Sequence, residues 1–528
     1  MENRSRAKDV TNSVGDGVIV NSAFNWRIAF GMPPWNELVI YEMHAATFPD
    51  DPVLKREMFD AIARDMWYLR ELGINAIELM PSNEFPGDDS WGYNPSHLFS
   101  IEDSYGGPEA FKRLVDAAHE NGIAVILDVV YNHFGPNDLD IWQFDGWFQK
   151  WNGEDMGGIY FYNDWRATTP WGTKNRADFG RPEVRSLIRD NALMWLEEYR
   201  IDGLRFDMTC FIRNVYGNDH DAFDNPNNLD GWGWNLLRWV NDEIRYRQPW
   251  KITIAEDMRQ NPAITRSTSQ GGAGFGSQWD DLFHHRVRDV LVAPRDEDRD
   301  MNLIKEAIER RFDGDSLHRI IYTESHDEVA TSNGGRRLTE AIHPGHADSW
   351  YAKKRSTLGA ALLMTTPGIP MLFQGQEILE WTPFGDKNRI DWNKYDQFRG
   401  IYLLYRDLIR LRRNWFNNTR GLQGQHVNVF HVNHQDKVIA FHRWQNGGPG
   451  DDVVVVLNFG NRAYDNYQIG FPRAGRWQVR FNSNWNGYSP DFSNWPAFDT
   501  DATSGAFDGM ACNGSIRIGP WTALVLSQ

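Results

Sequence analysis

The chain has 528 residues, 41% hydrophobic and 24% charged, the balance of a globular protein with a real core and room for roughly two to four domains. Its net charge of −17 argues against a nucleic-acid partner, which needs clustered Lys and Arg, and the longest apolar run, "ALLMTTPGIPMLF", is too short and too proline-broken to cross a membrane. The start, "MENRSRAKDV", has no secretory core, and Cys210 and Cys512 are the only cysteines; they read as buried free thiols in a reducing, cytoplasmic setting.

In chain order, short apolar segments alternate with helical ones. "ELVIYEMH" (37–44) is the first predicted strand, followed by the helix "MFDAIARDMWYLRELG". "NAIELMP" (75–81) precedes the helix "GPEAFKRLVDAAHENG", and "IAVILDVVYNH" (123–133) precedes an excursion rich in Trp, Gly and Asn, about 134–178. The helix "PEVRSLIRDNALMWLEEY" leads to "DGLRFD" (202–207), "KITIAED" (251–257), a weak "FGSQWDD" (275–281), "HRIIYTESHD" (318–327) and "IPMLFQGQE" (369–377). Eight strands separated by helical stretches predict a (β/α)8 barrel over 35–420; a doubly wound sheet is the alternative. From 421 to 528 the pattern turns to period two, in "VNVFHVNH", "KVIAFHRW", "DVVVVLNFG" and "RWQVRFN", which predicts an antiparallel β-sandwich. Residues 1–34 read as an extended leader.

A barrel builds its active site at the C-terminal ends of its strands, and polar residues recur there: Asp128, Asn132 and His133 on strand three, Arg205 and Asp207 on four, Glu256 and Asp257 on five, Glu324, His326 and Asp327 on seven. One such carboxylate is more often a helix cap; four strands converging are harder to dismiss. There is no cysteine nucleophile, Gly-rich phosphate loop or Ser-His pair. Opposed carboxylates suit glycoside hydrolysis, one attacking the anomeric carbon and one protonating the leaving oxygen. Arg205 would hold Asp207 ionised, and Glu256, after the apolar "ITIA", suits the acid. The rival reading, a catalytic metal, lacks H-x-H or H-E-x-x-H spacing. The 24 Trp suit core packing and also stacking on sugar faces.

"DVVYNH", "DGLRFD", "IAED" and "ESHDE", in that order on strands three, four, five and seven, resemble the four motifs of the α-amylase family, glycoside hydrolase family 13. The resemblance implies Asp207 as nucleophile, Glu256 as general acid and base, and Asp327 as third carboxylate. It implies His133 and His326 on the sugar beside the scissile bond, Arg205 orienting Asp207, Asp128 paired in the same polar layer, and Tyr93 of "SWGYNP" stacked on that sugar. The implied partner is an α-glucan such as starch, glycogen or maltooligosaccharides, cleaved at α-1,4 bonds.

"ELMPSNEFPGDDSWGYNP" and "LFQGQE" look like branching enzymes; "DVVYNHFGPN" is similar to maltooligosyltrehalose trehalohydrolases, although Ser325 stands where those usually carry Asn. Branching-type transfer leads, with hydrolysis by an α-amylase or trehalohydrolase as the alternative and a catalytically silent glucan-binding protein or a scaffold as readings of another class. No cofactor is expected. Calcium is possible, with Asn132 matching a frequent ligand, but is not predicted. The leader resembles the stretch that in these relatives leads out of an N-terminal β-sandwich module, of which it would be a remnant.

Overall fold

The structure, a computed structural model, describes residues 5–7, 17–19, 23–50, 57–135, 141–143, 146–169, 173–214 and 231–528. Eight parallel strands form a closed barrel: β1 (Ile40–Met43), β2 (Ala76–Leu79), β3 (Ala124–Val129), β4 (Gly203–Phe206), β5 (Ile252–Ala255), β6 (Ser277–Trp279), β7 (Arg319–Tyr322) and β8 (Ile369–Phe373), each paired with its neighbours in chain order and β8 with β1. All eight predicted strands are present, each shorter than the segment that predicts it.

Helices α1 (Met58–Leu72), α2 (Gly107–Glu120), α3 (Pro182–Glu197), α4 (Gly231–Arg247), α5 (Asp281–Val292), α6 (Trp350–Thr365) and α7 (Arg399–Arg412) cover the connections, with one exception. Between β5 and β6 the chain makes only two single-turn 3-10 helices, Pro262–Ile264 and Thr268–Gln270. The expected helix is absent there because "NPAITRSTSQGGAGFG" lacks apolar periodicity and carries a proline and four glycines.

Two compact units divide the chain: 1–32 with 42–70 and 75–279, and 33–41 with 71–74 and 280–528. In the first, β2, β3, β4 and β5 are in register so that Arg205 lies opposite Asp128 on one side and Ile254 on the other. Gly203 permits this closeness: a Cβ there would stand 2.3 Å from the Ile252 side chain. Asp202, just before β4, accepts from the Val125 N–H at 2.9 Å and meets His119 Nε2 at 2.8 Å and Lys251 Nζ at 3.2 Å. That aspartate of "DGLRFD" is a structural tie at the N-terminal end of the strand.

Within residues 1–34, Ser5–Ala7 pairs antiparallel with Gly17–Ile19, a pairing the sequence pattern did not announce. Residues 23–34 have no regular structure; there Trp26 lies under the Arg200 guanidinium at 4.8 Å and Arg27 pairs with Asp116 and Glu120.

In the second unit, β9 (His426–Asn433), β10 (Val438–Trp444), β11 (Val453–Asn458), β12 (Tyr464–Phe471), β13 (Gly475–Asn482), β14 (Thr500–Phe507), β15 (Met510–Ile518) and β16 (Thr522–Ser527) form one antiparallel succession in the order 9-10-11-16-13-14-15-12. It folds over itself: Ala440, Val454, Val456 and Leu524 from one end share a core with Ile469, Phe471, Ile516 and Ile518 from the other, the sandwich the alternation predicts. Every residue of β11 is buried. Helix α6, buried from Ala352 to Thr365, lies against β11 and β16, and its Lys354 donates to Asn484 Oδ1 at 3.1 Å.

Candidate active site

The barrel ladder continues past the ends of the strands and delivers the carboxylates. Asp207 N donates to Val129 O at 3.0 Å, Glu256 N to Phe206 O at 2.9 Å, and Thr209 N to Glu256 O at 2.8 Å. The two acids are therefore placed by main-chain bonds on three adjacent strands rather than by a free loop.

At the centre is Arg205, fully buried. Its Nη1 stands 2.6 Å from Asp128 Oδ2 and 3.1 Å from Asp207 Oδ1, and its Nη2 3.0 Å from Glu256 Oε2. Burial alone would lower the guanidinium's pKa, but Asp128, Glu256, Tyr93 and Asp207 together hold it well above its ordinary value. Aromatic rings bracket the charge, with Trp279 at 4.3 Å and Tyr93 at 5.9 Å.

The remaining bonds fix each carboxylate. Asp128 accepts from the Tyr93 hydroxyl at 2.5 Å, and burial, with Asp128 beside it, pushes that phenol well above its usual pKa, so it stays a donor. Asn132 Nδ2 donates to Asp207 Oδ2 at 2.6 Å, leaving Oδ1 to Arg205. Glu256 Oε2 also accepts from the Met208 N–H at 2.9 Å, and Met208 holds φ at +40°. A non-glycine residue in that region is strain of the kind found at functional sites.

His133 is buried between two oxygens, with Nδ1 2.5 Å from Asn132 Oδ1 and Nε2 2.7 Å from Tyr93 O; burial pushes its pKa down to about 4 against the pull of the Tyr93 carbonyl. Gly92 lets Tyr93 reach this place: its φ is +94°, and a Cβ would stand 2.3 Å from Pro81 O.

The structure thus brings together Tyr93, Asp128, His133, Arg205, Asp207 and Glu256 of the expected set. His326 and Asp327 follow β7, in the second unit. His326 is buried with Nε2 3.5 Å from Asp327 Oδ2, and the Asp327 side chain is 44% exposed, with Asn333 Nδ2 3.3 Å from its Oδ1. Glu324 is taken up by Arg337 at 2.6 Å, and Asp257 by Arg213 through two bonds of 2.7 and 2.8 Å; both are structural pairs.

Sequence reasoning did not assign Asn132 its contact with Asp207, nor Trp279 its place over Arg205. Trp279 had a signal, as the last residue of a barrel strand. Asn132 had been matched to a calcium ligand; here its amide nitrogen serves Asp207 and its oxygen meets His133, so both ends belong to the hydrogen-bonded set. Cys210 is buried and free, its thiol pushed well above its ordinary pKa first by burial, and is no nucleophile.

Residues 58–419 match the α-amylase catalytic domain and residues 430–528 the α-amylase C-terminal all-β domain. The chain is 30% identical over 485 residues to a 1,4-alpha-glucan branching enzyme GlgB of Oceanobacillus iheyensis, covering 85% of this chain and 70% of that one. It is 31% identical over 395 residues to a malto-oligosyltrehalose trehalohydrolase of Saccharolobus solfataricus, covering 70% and 62%. A solved structure of a putative alpha amylase from Salmonella typhimurium shares the fold at a TM-score of 0.71 and 22% identity, over 100% of this chain and 88% of that one. The chain spans less than two thirds of the length of most of the curated relatives it matches. With four strand-end motifs in order on a closed barrel and both family domains matched, the chain belongs to the α-amylase family.

Proposed function

We propose that the protein is a retaining enzyme that cleaves α-1,4-glucosidic bonds of an α-glucan and passes the cleaved glucan segment chiefly to another sugar hydroxyl, as a branching-type transglycosylase with some hydrolysis. The buried guanidinium shared by Asp128, Asp207 and Glu256 supports the retaining chemistry, and the likeness to branching enzymes supports transfer.

Asp207 is the nucleophile. Arg205 on Oδ1 and Asn132 on Oδ2 fix its plane and favour its ionised form. An oxygen of Asp207 attacks the anomeric carbon while Glu256 gives its proton to the departing glycosidic oxygen, leaving a glycosyl ester and a carboxylate. Glu256 then takes the proton of the incoming hydroxyl as that oxygen displaces Asp207. Three carboxylates around one cation leave a surplus of negative charge in a buried set, which favours one proton being retained there. One guanidinium reaching both acids supports the shorter carboxyl spacing of retaining chemistry, about 5–5.5 Å.

Asp327 is proposed as the third carboxylate, with His133, His326 and Tyr93 on the sugar beside the scissile bond. The family's motifs and the place of β7 in the barrel order support this. Asp207 and Glu256 supply the bond and the proton of each step without calcium or another cofactor. We place the domains at 1–34, 35–420 and 421–528, and the protein in the cytoplasm, a reducing setting that suits its two free, buried thiols.

Hydrolysis is the second reading, supported by the likeness to a trehalohydrolase, 31% identical over 70% of this chain. Iodine staining of amylose beside a reducing-end assay separates them. Branching predicts loss of colour with few new reducing ends. Loss of colour with matching new ends means hydrolysis, and no change in either means binding alone.

A further inference from the structure

The segment "DDLFHHRVRDV" puts two adjacent histidines, His284 and His285, on the first turns of α5. Neighbours on a helix diverge by about 100° and seldom share a partner. Here Glu328, beyond β7, lies between them: its Oε2 is 3.1 Å from His284 Nε2 and its Oε1 3.9 Å from His285 Nε2. Among the described residues this is the one group of three His, Cys, Asp or Glu donors whose ligand atoms all fall within 4.8 Å of one another.

The distances suit an ion. Ligands about 2.1 Å from a tetrahedral centre stand about 3.4 Å apart; one oxygen of Glu328 is 3.1 Å from His284 Nε2 and its other oxygen 3.9 Å from His285 Nε2, and one donor atom from each residue lies within 4.8 Å of the others. The set is graded toward solvent, with side-chain exposures of 0% for His284, 21% for Glu328 and 54% for His285. A hollow of about 530 Å³ rimmed by Arg288, Asn333 and Arg336 opens beside Glu328 and supplies entry. His284 packs its ring against Tyr322, centroids 5.7 Å apart, which fixes its direction; its Nδ1 is buried with no hydrogen-bond partner among the described residues. Among the described residues its Nε2 is likewise buried with no hydrogen-bond partner, so the neutral ring has that nitrogen's lone pair open to a metal.

We propose that His284, His285 and Glu328 form a binding site for a divalent transition ion of the zinc class, completed by water from the hollow. Two imidazoles and one carboxylate select zinc-like ions over calcium or magnesium, which take oxygen ligands. Arg288, one turn along α5, opposes a cation, and Asp281, at the start of the helix, favours one. Glu328 directly follows Asp327, so an ion here would pin the segment that carries that carboxylate.

The test is calorimetric titration of the full chain with Zn²⁺, paired with the visible spectrum of added Co²⁺. One ion per chain and tetrahedral cobalt bands are expected. His285→Gln and Glu328→Gln should each weaken binding by at least about tenfold, with the fold checked by circular dichroism. His343→Gln, in a second histidine pair with centroids 4.9 Å apart, should leave it unchanged. Absence of stoichiometric binding, or binding indifferent to both His285→Gln and Glu328→Gln, would overturn the proposal. Both readouts are independent of any action on glucans, so they fail or succeed apart from the proposed reaction.

Discussion

Asp207 and Arg205 are two residues apart on one strand end, and Asp207 Oδ1 stands 3.1 Å from the nitrogen of Arg205 that also meets Asp128 at 2.6 Å. Residues i and i+2 share a face of a strand, so the pairing follows from the spacing in "RFD" once the strand exists. Because the guanidinium is fully buried, its removal strands three carboxylates. Arg205→Met should lower stability by about 3–5 kcal/mol and abolish turnover. Arg205→Lys keeps the charge but cannot fork to Asp207 and Glu256 at once, and should lower kcat by about a hundredfold through misplacement. Denaturant midpoints and initial rates on amylose check both; a Lys variant with wild-type kcat would contradict the shared-guanidinium account.

Tyr93 gives a finer test. Its hydroxyl donates to Asp128 at 2.5 Å, and Tyr93→Phe removes that one bond while keeping the ring beside Arg205. A hydrogen bond to a charged group contributes about 1.5–3 kcal/mol, so the urea midpoint should fall accordingly, with kcat reduced less than in Arg205→Lys. An unchanged midpoint would mean that the hydroxyl does not hold Asp128.

The barrel was legible because each of its strands is a short apolar run between polar ends, and the family motifs sit on those ends. "FGSQWDD" was weak because only Ser277–Trp279 is strand, too short to show a period. In the sandwich, four strands announced themselves by β-branched and aromatic residues between turns, although β10 and β11 are buried along nearly their whole length rather than alternating. "TDATSGAF" and "MACNGSIRI" did not, because small and polar residues with an internal glycine carry little signal, and pairing alone makes them strands. Asp207, Glu256, Arg205 and Asp128 could be read from sequence because each lies on a strand end. The stacking of Trp279 on Arg205 and the left-handed Met208 depend on tertiary geometry that spacing does not encode.

A pH test falls on Lys354, buried in α6 over the Phe492 ring at 4.6 Å. Burial lowers its ammonium from 10.5 to about 7 in the fold. Between those values the unfolded chain binds more protons, so unfolding free energy rises with pH; below about 7 both states are charged and the slope vanishes. The urea midpoint should therefore climb from pH 7 toward 10, by an amount on the order of 4 kcal/mol at most. Lys354→Met should flatten that climb, and a Met variant with an unaltered slope would assign it to other groups.

A covalent bond between Asp207 and the sugar can be read by intact-mass analysis of a trapped intermediate. In Glu256→Gln, 5-fluoro-α-glucosyl fluoride can still form the ester, because fluoride leaves without a proton. Turnover of that ester is slowed without the base. One glucosyl adduct per chain is expected, on the peptide that contains Asp207, and none in the double variant with Asp207→Asn. An adduct on another carboxylate, or cleavage of the reagent with an inverted product and no adduct, would contradict the account.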